Sequence, residues 1–146
     1  MVLFQLERTA PLPLAEAWRR LTEWRRHGEV VPLTRVTVVT PPPHGSGTVI
    51  VARTGLGPLS FDDRMEVTEW HPPAGDGPGR CRLVKRGRVV LGWAEIEVRP
   101  DPGGLTRVVW REEIGVRFVP SPFDPLLRAA GRRMFGRAVD GLLRRA

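Results

Sequence analysis

Alternating apolar and polar residues predict that strands form most of this chain. A first strand covers residues 2–9 and ends before Pro11 and Pro13. Later strands, separated by turns rich in glycine and proline, are predicted over residues 36–38, 48–54, 59–70, 80–86, 88–99 and 104–118. Because short turns join successive strands, we expect a meander of about seven antiparallel strands.

Helical spacing of apolar residues follows the first strand. Leu14, Trp18 and Leu21 predict one helix. A second, short helix is predicted from Trp24 to His27, and Gly28 is expected to end it. Two helices therefore separate the first strand from the rest of the meander.

A long helix is predicted at the end of the chain, from about Asp124-Pro125 to the C-terminus. Its apolar stripe consists of Leu127, Ala130, Met134, Ala138 and Leu142. Its arginines lie largely outside that stripe, which indicates either a solvated face or a face that contacts anionic lipid. Gly131, Gly136 and Gly141 weaken the helix, and they either let it approach the sheet closely or make it a mobile gate.

Composition narrows the class of protein. A chain of 146 residues suits a single domain over residues 1–146. No apolar run is long enough to cross a membrane and no secretory signal is present, so a cytoplasmic location is expected. Cys81 is the only cysteine, and we expect a buried, inert thiol. No spacing of His, Cys, Asp or Glu matches a metal or cofactor motif, so neither is predicted.

The net charge of +7 comes almost entirely from arginine, and Lys85 is the only lysine. This composition is typical of GC-rich coding, which would give the charge no functional meaning. A basic chain is nevertheless attracted to anionic surfaces, so peripheral membrane contact stays open as an alternative. Nucleic-acid binding is disfavoured because Trp18 and Trp110 are placed for core packing. Trp70 and Trp93 are predicted on the outer face as a sticky patch or dimer surface, and both a monomer and a homodimer stay open.

The order of elements resembles the helix-grip fold of the START-like (SRPBCC) superfamily, and most closely its polyketide cyclase/dehydrase branch. The signals that carry this resemblance are Trp18, Trp24, Pro32, the strand end Glu69-Trp70-His71-Pro72-Pro73 and the strand start from Gly103 to Val108. The resemblance implies an α+β domain in which a curved antiparallel sheet wraps around the C-terminal helix and forms a pocket. The fold does not specify what the pocket holds.

Strand alternation predicts which residues face this pocket. Ala52, Gly92 and Ala94 are small for core positions, and they leave volume for a ligand unless bulky side chains such as Trp18 or Phe135 fill it. The predicted ligand-binding residues are Ala52, Phe61, Asp63, Met65, Leu83, Lys85, Gly92, Ala94, Trp110, Glu112 and Met134.

Asp63 and Glu112 stand out on this apolar face and are the candidate catalytic residues. A buried carboxylate loses solvation, which raises its pKa unless a cation or hydrogen bond compensates. One of them would act as a general acid or base, or would anchor a ligand hydroxyl or amine. In the alternative interpretation they pair with Lys85 or Arg53, or a β-bulge turns them outward.

The histidines are far apart in sequence. His44 and His71 lie in turns and are expected in solvent. His27 lies at the elbow of the helix pair, which borders the pocket mouth in the superfamily that the chain resembles.

Three functions remain after these observations. The leading hypothesis is binding or transport of a small, largely apolar molecule without chemistry. The first alternative is a polyketide cyclase/dehydratase-type enzyme that acts on a poly-β-keto or aromatic intermediate. The second is a basic module that binds RNA, protein or anionic membrane.

Overall fold

A single antiparallel sheet carries the fold in the computed structural model, which describes residues 1–144. Its strands are β1 (Val2–Ala10), β2 (Thr34–Val38), β3 (Val49–Leu56), β4 (Leu59–His71), β5 (Gly79–Lys85), β6 (Val90–Asp101) and β7 (Leu105–Val116). They lie in the order β1-β7-β6-β5-β4-β3-β2. The first strand therefore pairs with the last, and the predicted meander of seven strands is confirmed.

The helices are α1 (Leu14–Thr22), α2 (Trp24–Val30) and α3 (Asp124–Arg144), the last preceded by a short 3-10 turn at Ser121–Phe123. Gly28 lies inside α2, so the prediction that it ends this helix is wrong. A Cβ at Gly28 would lie 3.1 Å from the backbone nitrogen of Val36, so this glycine lets α2 rest on β2. The predicted continuation of α3 through Arg145 and Ala146 lies outside the described residues.

Glycine brings α3 close to its neighbours. The helix packs on β1, α1 and α2. A Cβ at Gly131 would lie 2.8 Å from the Phe4 ring, and one at Gly141 would lie 2.8 Å from Cγ1 of Val30. Close approach therefore accounts for these glycines.

The buried face of α3 differs from the predicted stripe. Ala138 and Leu142 are buried as expected, but Met134 is 38% exposed and Ala130 is exposed. Val139, which the stripe omitted, is 1% exposed. Gly131 and Gly136 also lie against β1, and because they carry no apolar side chain, hydrophobic spacing alone left them out of the contact face.

A β-bulge between Val67 and Glu69 turns Trp70 to the face opposite the predicted one. Simple alternation places this residue on the outer face, but the bulge shifts the register by one residue. Trp70 instead packs against Trp18 at a ring-centroid distance of 5.1 Å. Trp70 is therefore partly buried against the core, and its predicted place on the outer face is wrong.

No helix within residues 1–144 is long and apolar enough to span a membrane.

Candidate functional site

A cavity of about 270 Å³ lies between the inward face of the sheet and α3. Apolar side chains make up most of its wall, including Ile50, Leu83 and Ile96. Phe61 and Met134 also line it and are 39% and 38% exposed, so they mark where the cavity meets solvent. The curved sheet and the helix thus enclose a space suited to a small apolar molecule.

All of the predicted ligand-binding residues except Gly92 line this cavity. Gly92 has φ of 127°, and a Cβ there would collide with the carbonyl oxygen of Glu113 on β7. Its small size therefore serves the backbone conformation of β6 and leaves no volume for a ligand.

Several wall residues were missing from the predicted set. Thr34, Thr54 and Phe135 line the cavity, as do Trp24 and His27 on α2. The sequence offered His27 alone as a candidate at the mouth. Thr54 follows Ala52 at a period of two on β3, so alternation could have included it. Thr34, Phe135 and Trp24 depend on how β2, α3 and α2 pack on the sheet, and strand alternation does not report that packing.

A continuous row of aromatic contacts includes part of the cavity wall. It runs from Phe4 through Phe135, Trp110, His27 and Trp24 to Trp70 and Trp18, with ring centroids 5.1 to 6.5 Å apart. The middle members line the cavity, whereas Trp18 belongs to the dense core behind it. The row therefore connects the wall of the cavity with the core around Trp18.

A buried charged cluster forms part of the wall. Lys85 Nζ lies 2.7 Å from Asp63 Oδ2 and 3.4 Å from Glu112 Oε1. The indole Nε1 of Trp110 donates to Glu112 Oε2 over 3.2 Å. The register of the sheet brings the three charged side chains together. Lys85 on β5 is opposite Met65, which lies two residues after Asp63 on β4, and Glu112 on β7 is opposite Ala94 on β6.

Burial and charge act in opposite directions on the cluster. Desolvation raises the pKa of Asp63 and of Glu112, although the Lys85 ammonium opposes both shifts. Desolvation also disfavours the charged form of Lys85, but the two carboxylates outweigh it and raise the pKa of the ammonium. Lys85 is therefore a cation, and the carboxylate pair retains a proton to higher pH than free carboxylates would.

Of the two partners that the sequence offered for the carboxylates, Lys85 is the one that binds them. Arg53 points to the opposite face, where its Nε lies 2.8 Å from Asp62 Oδ1. Neither Asp63 nor Glu112 is turned outward, since their side chains are only 15% and 1% exposed.

The histidines, Cys81 and Trp93 were the other residues that the sequence singled out. His27 Nε2 lies 2.8 Å from the Leu21 carbonyl oxygen, and burial lowers the pKa of its imidazole. His44 and His71 are exposed. Cys81 is buried, and desolvation raises the pKa of its thiol to about 12, which makes it unreactive. Trp93 lies under the Arg82 guanidinium at 4.3 Å.

Comparison with known proteins gives one sequence-level match. A family model described as polyketide cyclase/dehydrase and lipid transport matches residues 1–146. No curated protein sequence matches the chain.

Solved structures with the same fold include two bacterial proteins and one human domain. A START superfamily protein from Mycobacterium smegmatis is 12% identical with a TM-score of 0.71, over 97% of this chain and 96% of that one. The Zhui aromatase/cyclase from Streptomyces sp. R1128 is 14% identical with a TM-score of 0.66, over 97% and 91%. The lipid transfer and protein localization domain of human StarD13 is 11% identical with a TM-score of 0.70, over 99% and 78%. At these identities the likeness establishes the fold alone.

Proposed function

The chain belongs to the polyketide cyclase/dehydrase and lipid transport family, and on that premise we propose that it binds a small, largely apolar ligand between the sheet and α3. The observation that carries the proposal is the cavity of about 270 Å³ with an apolar wall and one buried charged cluster. Sites for small molecules combine these two features: apolar surface supplies affinity, and a few polar groups orient the ligand.

The ligand contacts follow from the wall. We propose that Phe61, Met65, Leu83, Ala94 and Met134 contact the apolar body of the ligand. One structural neighbour is named as a lipid transfer domain and another as an aromatase/cyclase, and both names suit such a ligand. Binding without chemistry is the first choice because the wall consists chiefly of apolar side chains.

The test is titration with N-phenyl-1-naphthylamine, an apolar dye that fluoresces in apolar surroundings. We expect saturation at one equivalent. Ala94 lines the cavity and is 4% exposed, so Ala94→Leu should fill the space and weaken dye binding by at least about tenfold. Ala129→Leu is the matched control, because Ala129 is exposed on α3 and is not a wall residue. Equal dye affinity in the two variants would rule out this cavity as the site.

The charged cluster favours a second candidate, acid–base catalysis of the cyclase/dehydratase type. Asp63 and Glu112 share one lysine, and burial raises the pKa of both carboxyl groups above its ordinary value. A carboxylate of this kind removes a proton beside a ketone, and the protonated form returns a proton to a leaving hydroxyl.

This candidate is separated from simple binding by a dehydration assay. The substrate is the β-hydroxy ketone formed from benzaldehyde and acetone, whose dehydration product absorbs in the near ultraviolet. An enzyme should lose about a hundredfold or more in turnover in Glu112→Gln or Asp63→Asn while dye binding stays nearly intact. If the protein is only a carrier, neither the wild type nor the two variants should turn over the substrate, and the substitutions should change only ligand affinity.

A further inference from the structure

Charge on the cavity wall is unbalanced. Among the described residues that line the cavity, the ionisable ones are Asp63, Lys85, Glu112 and His27. Because burial lowers the pKa of His27, its imidazole is neutral at physiological pH. One lysine therefore faces two carboxylates, and the wall carries one excess negative charge whenever both carboxylates are ionised.

Hydrogen-bond donors in the cluster are already used. An ammonium has three N–H donors, and those of Lys85 have partners in Asp63 at 2.7 Å, Glu112 at 3.4 Å and Met65 Sδ at 3.7 Å. The indole of Trp110 donates to Glu112. Asp63 Oδ1 is nevertheless buried without a donor among the described residues. The cluster thus has more acceptor positions than donors.

Asp63 is the member of the cluster that a ligand can reach. Its side chain is 15% exposed, against 2% for Lys85 and 1% for Glu112. Lys85 binds Oδ2 of Asp63, so Oδ1 is the oxygen left to accept a hydrogen bond from a ligand. The most accessible member of the cluster is therefore a carboxylate.

From this arrangement we propose that the ligand is an apolar amine that binds as its ammonium ion, with its N–H groups donated to Asp63. The ammonium supplies both the missing positive charge and the missing donors, while the apolar body contacts the wall. A carboxylate or phosphate ligand would meet excess negative charge. Among residues 1–144, the indole N–H of Trp24 is the wall donor that is buried without a partner, and this donor is uncharged. The inference rests on the proposed binding function and specifies the ligand class.

The experiment compares octylamine, octanol and octanoic acid as competitors of N-phenyl-1-naphthylamine at neutral pH. The three share one alkyl chain and differ only in the polar group. We expect octylamine to bind at least about tenfold more tightly than octanol, and octanoate to bind most weakly. If the dye binds but the three compete equally, or octanoate competes best, the ligand class is wrong while the binding function stands. If neither the dye nor any octyl compound binds, both proposals fail.

Two isosteric variants assign the preference to one carboxylate. Asp63→Asn should reduce the preference for octylamine over octanol to within about threefold, because the remaining Lys85 and Glu112 balance each other. Asp62→Asn is the control. It changes the adjacent carboxylate, which binds Arg53 on the outer face, and should keep the full preference. Loss of the preference in both variants, or in neither, would overturn the assignment to Asp63.

Discussion

Asp62 and Asp63 are neighbours on β4 with nearly identical ion-pair distances, but the pKa values of their carboxyl groups move in opposite directions. Asp62 Oδ1 lies 2.8 Å from Arg53 on the outer face, and its hydrogen bonds to that guanidinium lower the pKa of the carboxyl group. Asp63 Oδ2 lies 2.7 Å from Lys85 on the inner face, yet desolvation raises its pKa. Burial, and not the distance to the cation, therefore decides the direction in which each pKa moves.

The two pairs also differ in what their loss would cost. A solvent-exposed pair contributes little to folding, because water replaces each partner when the other is removed. In the cavity no such replacement occurs, so removal of the cation leaves two carboxylates in an apolar wall. Substitutions on the two faces of β3, β4 and β5 therefore test the comparison directly.

The largest effect is expected from Lys85→Met. This change should lower the free energy of unfolding at neutral pH by about 3–5 kcal/mol, as is typical when one partner of a buried ion pair is removed. Urea denaturation followed by circular dichroism measures it. Arg53→Met is the matched change on the outer face and should unfold close to the wild-type midpoint. Equal losses in the two variants would contradict the contrast between the faces.

A smaller effect is expected from Trp110→Phe, which removes the indole donor to Glu112. The loss of a hydrogen bond to a charged group should cost about 1.5–3 kcal/mol in the same urea experiment. Trp93→Phe is the control, because Trp93 contacts Arg82 through its ring face and phenylalanine preserves part of that contact. A larger loss for Trp93→Phe than for Trp110→Phe would show that the inner hydrogen bond is unimportant.

The smallest effect is a change in how stability depends on pH. Asp63 has a folded-state pKa above its usual 3.8, so its contribution to the free energy of unfolding falls as pH rises through the range between the two values. Its slope is at most about 1.4 kcal/mol per pH unit, the limit for one proton. Asp62 has the opposite sign: its stabilisation is present above its usual pKa and is lost as pH falls through the lowered one. Urea midpoints are measured upward from about pH 3 and compared with wild type at each pH. Relative to wild type, the midpoint of Asp63→Asn should rise with pH, and that of Asp62→Asn should fall. Parallel changes would contradict the assigned directions.

Strand alternation predicted the inner face well because the relevant strands run without interruption through the cluster. Asp63, Lys85 and Glu112 were all assigned inward from a period of two, and the sheet brings them together. The same rule failed at Trp70, where the bulge after Val67 adds a residue. A bulge depends on backbone geometry that no side-chain pattern reports.

The choice of partner could also have been made from the sequence. Since Ala52 faces inward on β3, Arg53 must face outward, which leaves Lys85 as the cation for the cluster. A second signal was composition. Lys85 is the only lysine among 23 basic residues, so a lysine at an inward position of an arginine-rich chain was unusual. A compact ammonium also suits a site that it shares with two carboxylates better than a planar guanidinium does.

Other parts of the site depend on packing between elements. Thr34 and Phe135 reach the cavity because β2 and α3 adopt particular orientations, and neither follows from local spacing. Met134 was assigned to the buried stripe of α3, whereas it lies at the rim. Gly92 was assigned to the wall because it is small, whereas its backbone conformation explains it.

The aromatic row beside the cavity has a spectroscopic consequence. The chain contains five tryptophans and no tyrosine, so its near-ultraviolet absorption and emission come essentially from indole. Trp24 and Trp110 line the cavity, and Trp24 is 6.5 Å from Trp70, which is 5.1 Å from Trp18. Indoles at such separations exchange excitation energy, so light absorbed by any of these three neighbours can be emitted beside the cavity. The protein is therefore its own optical reporter, and its emission would respond to occupancy without a label.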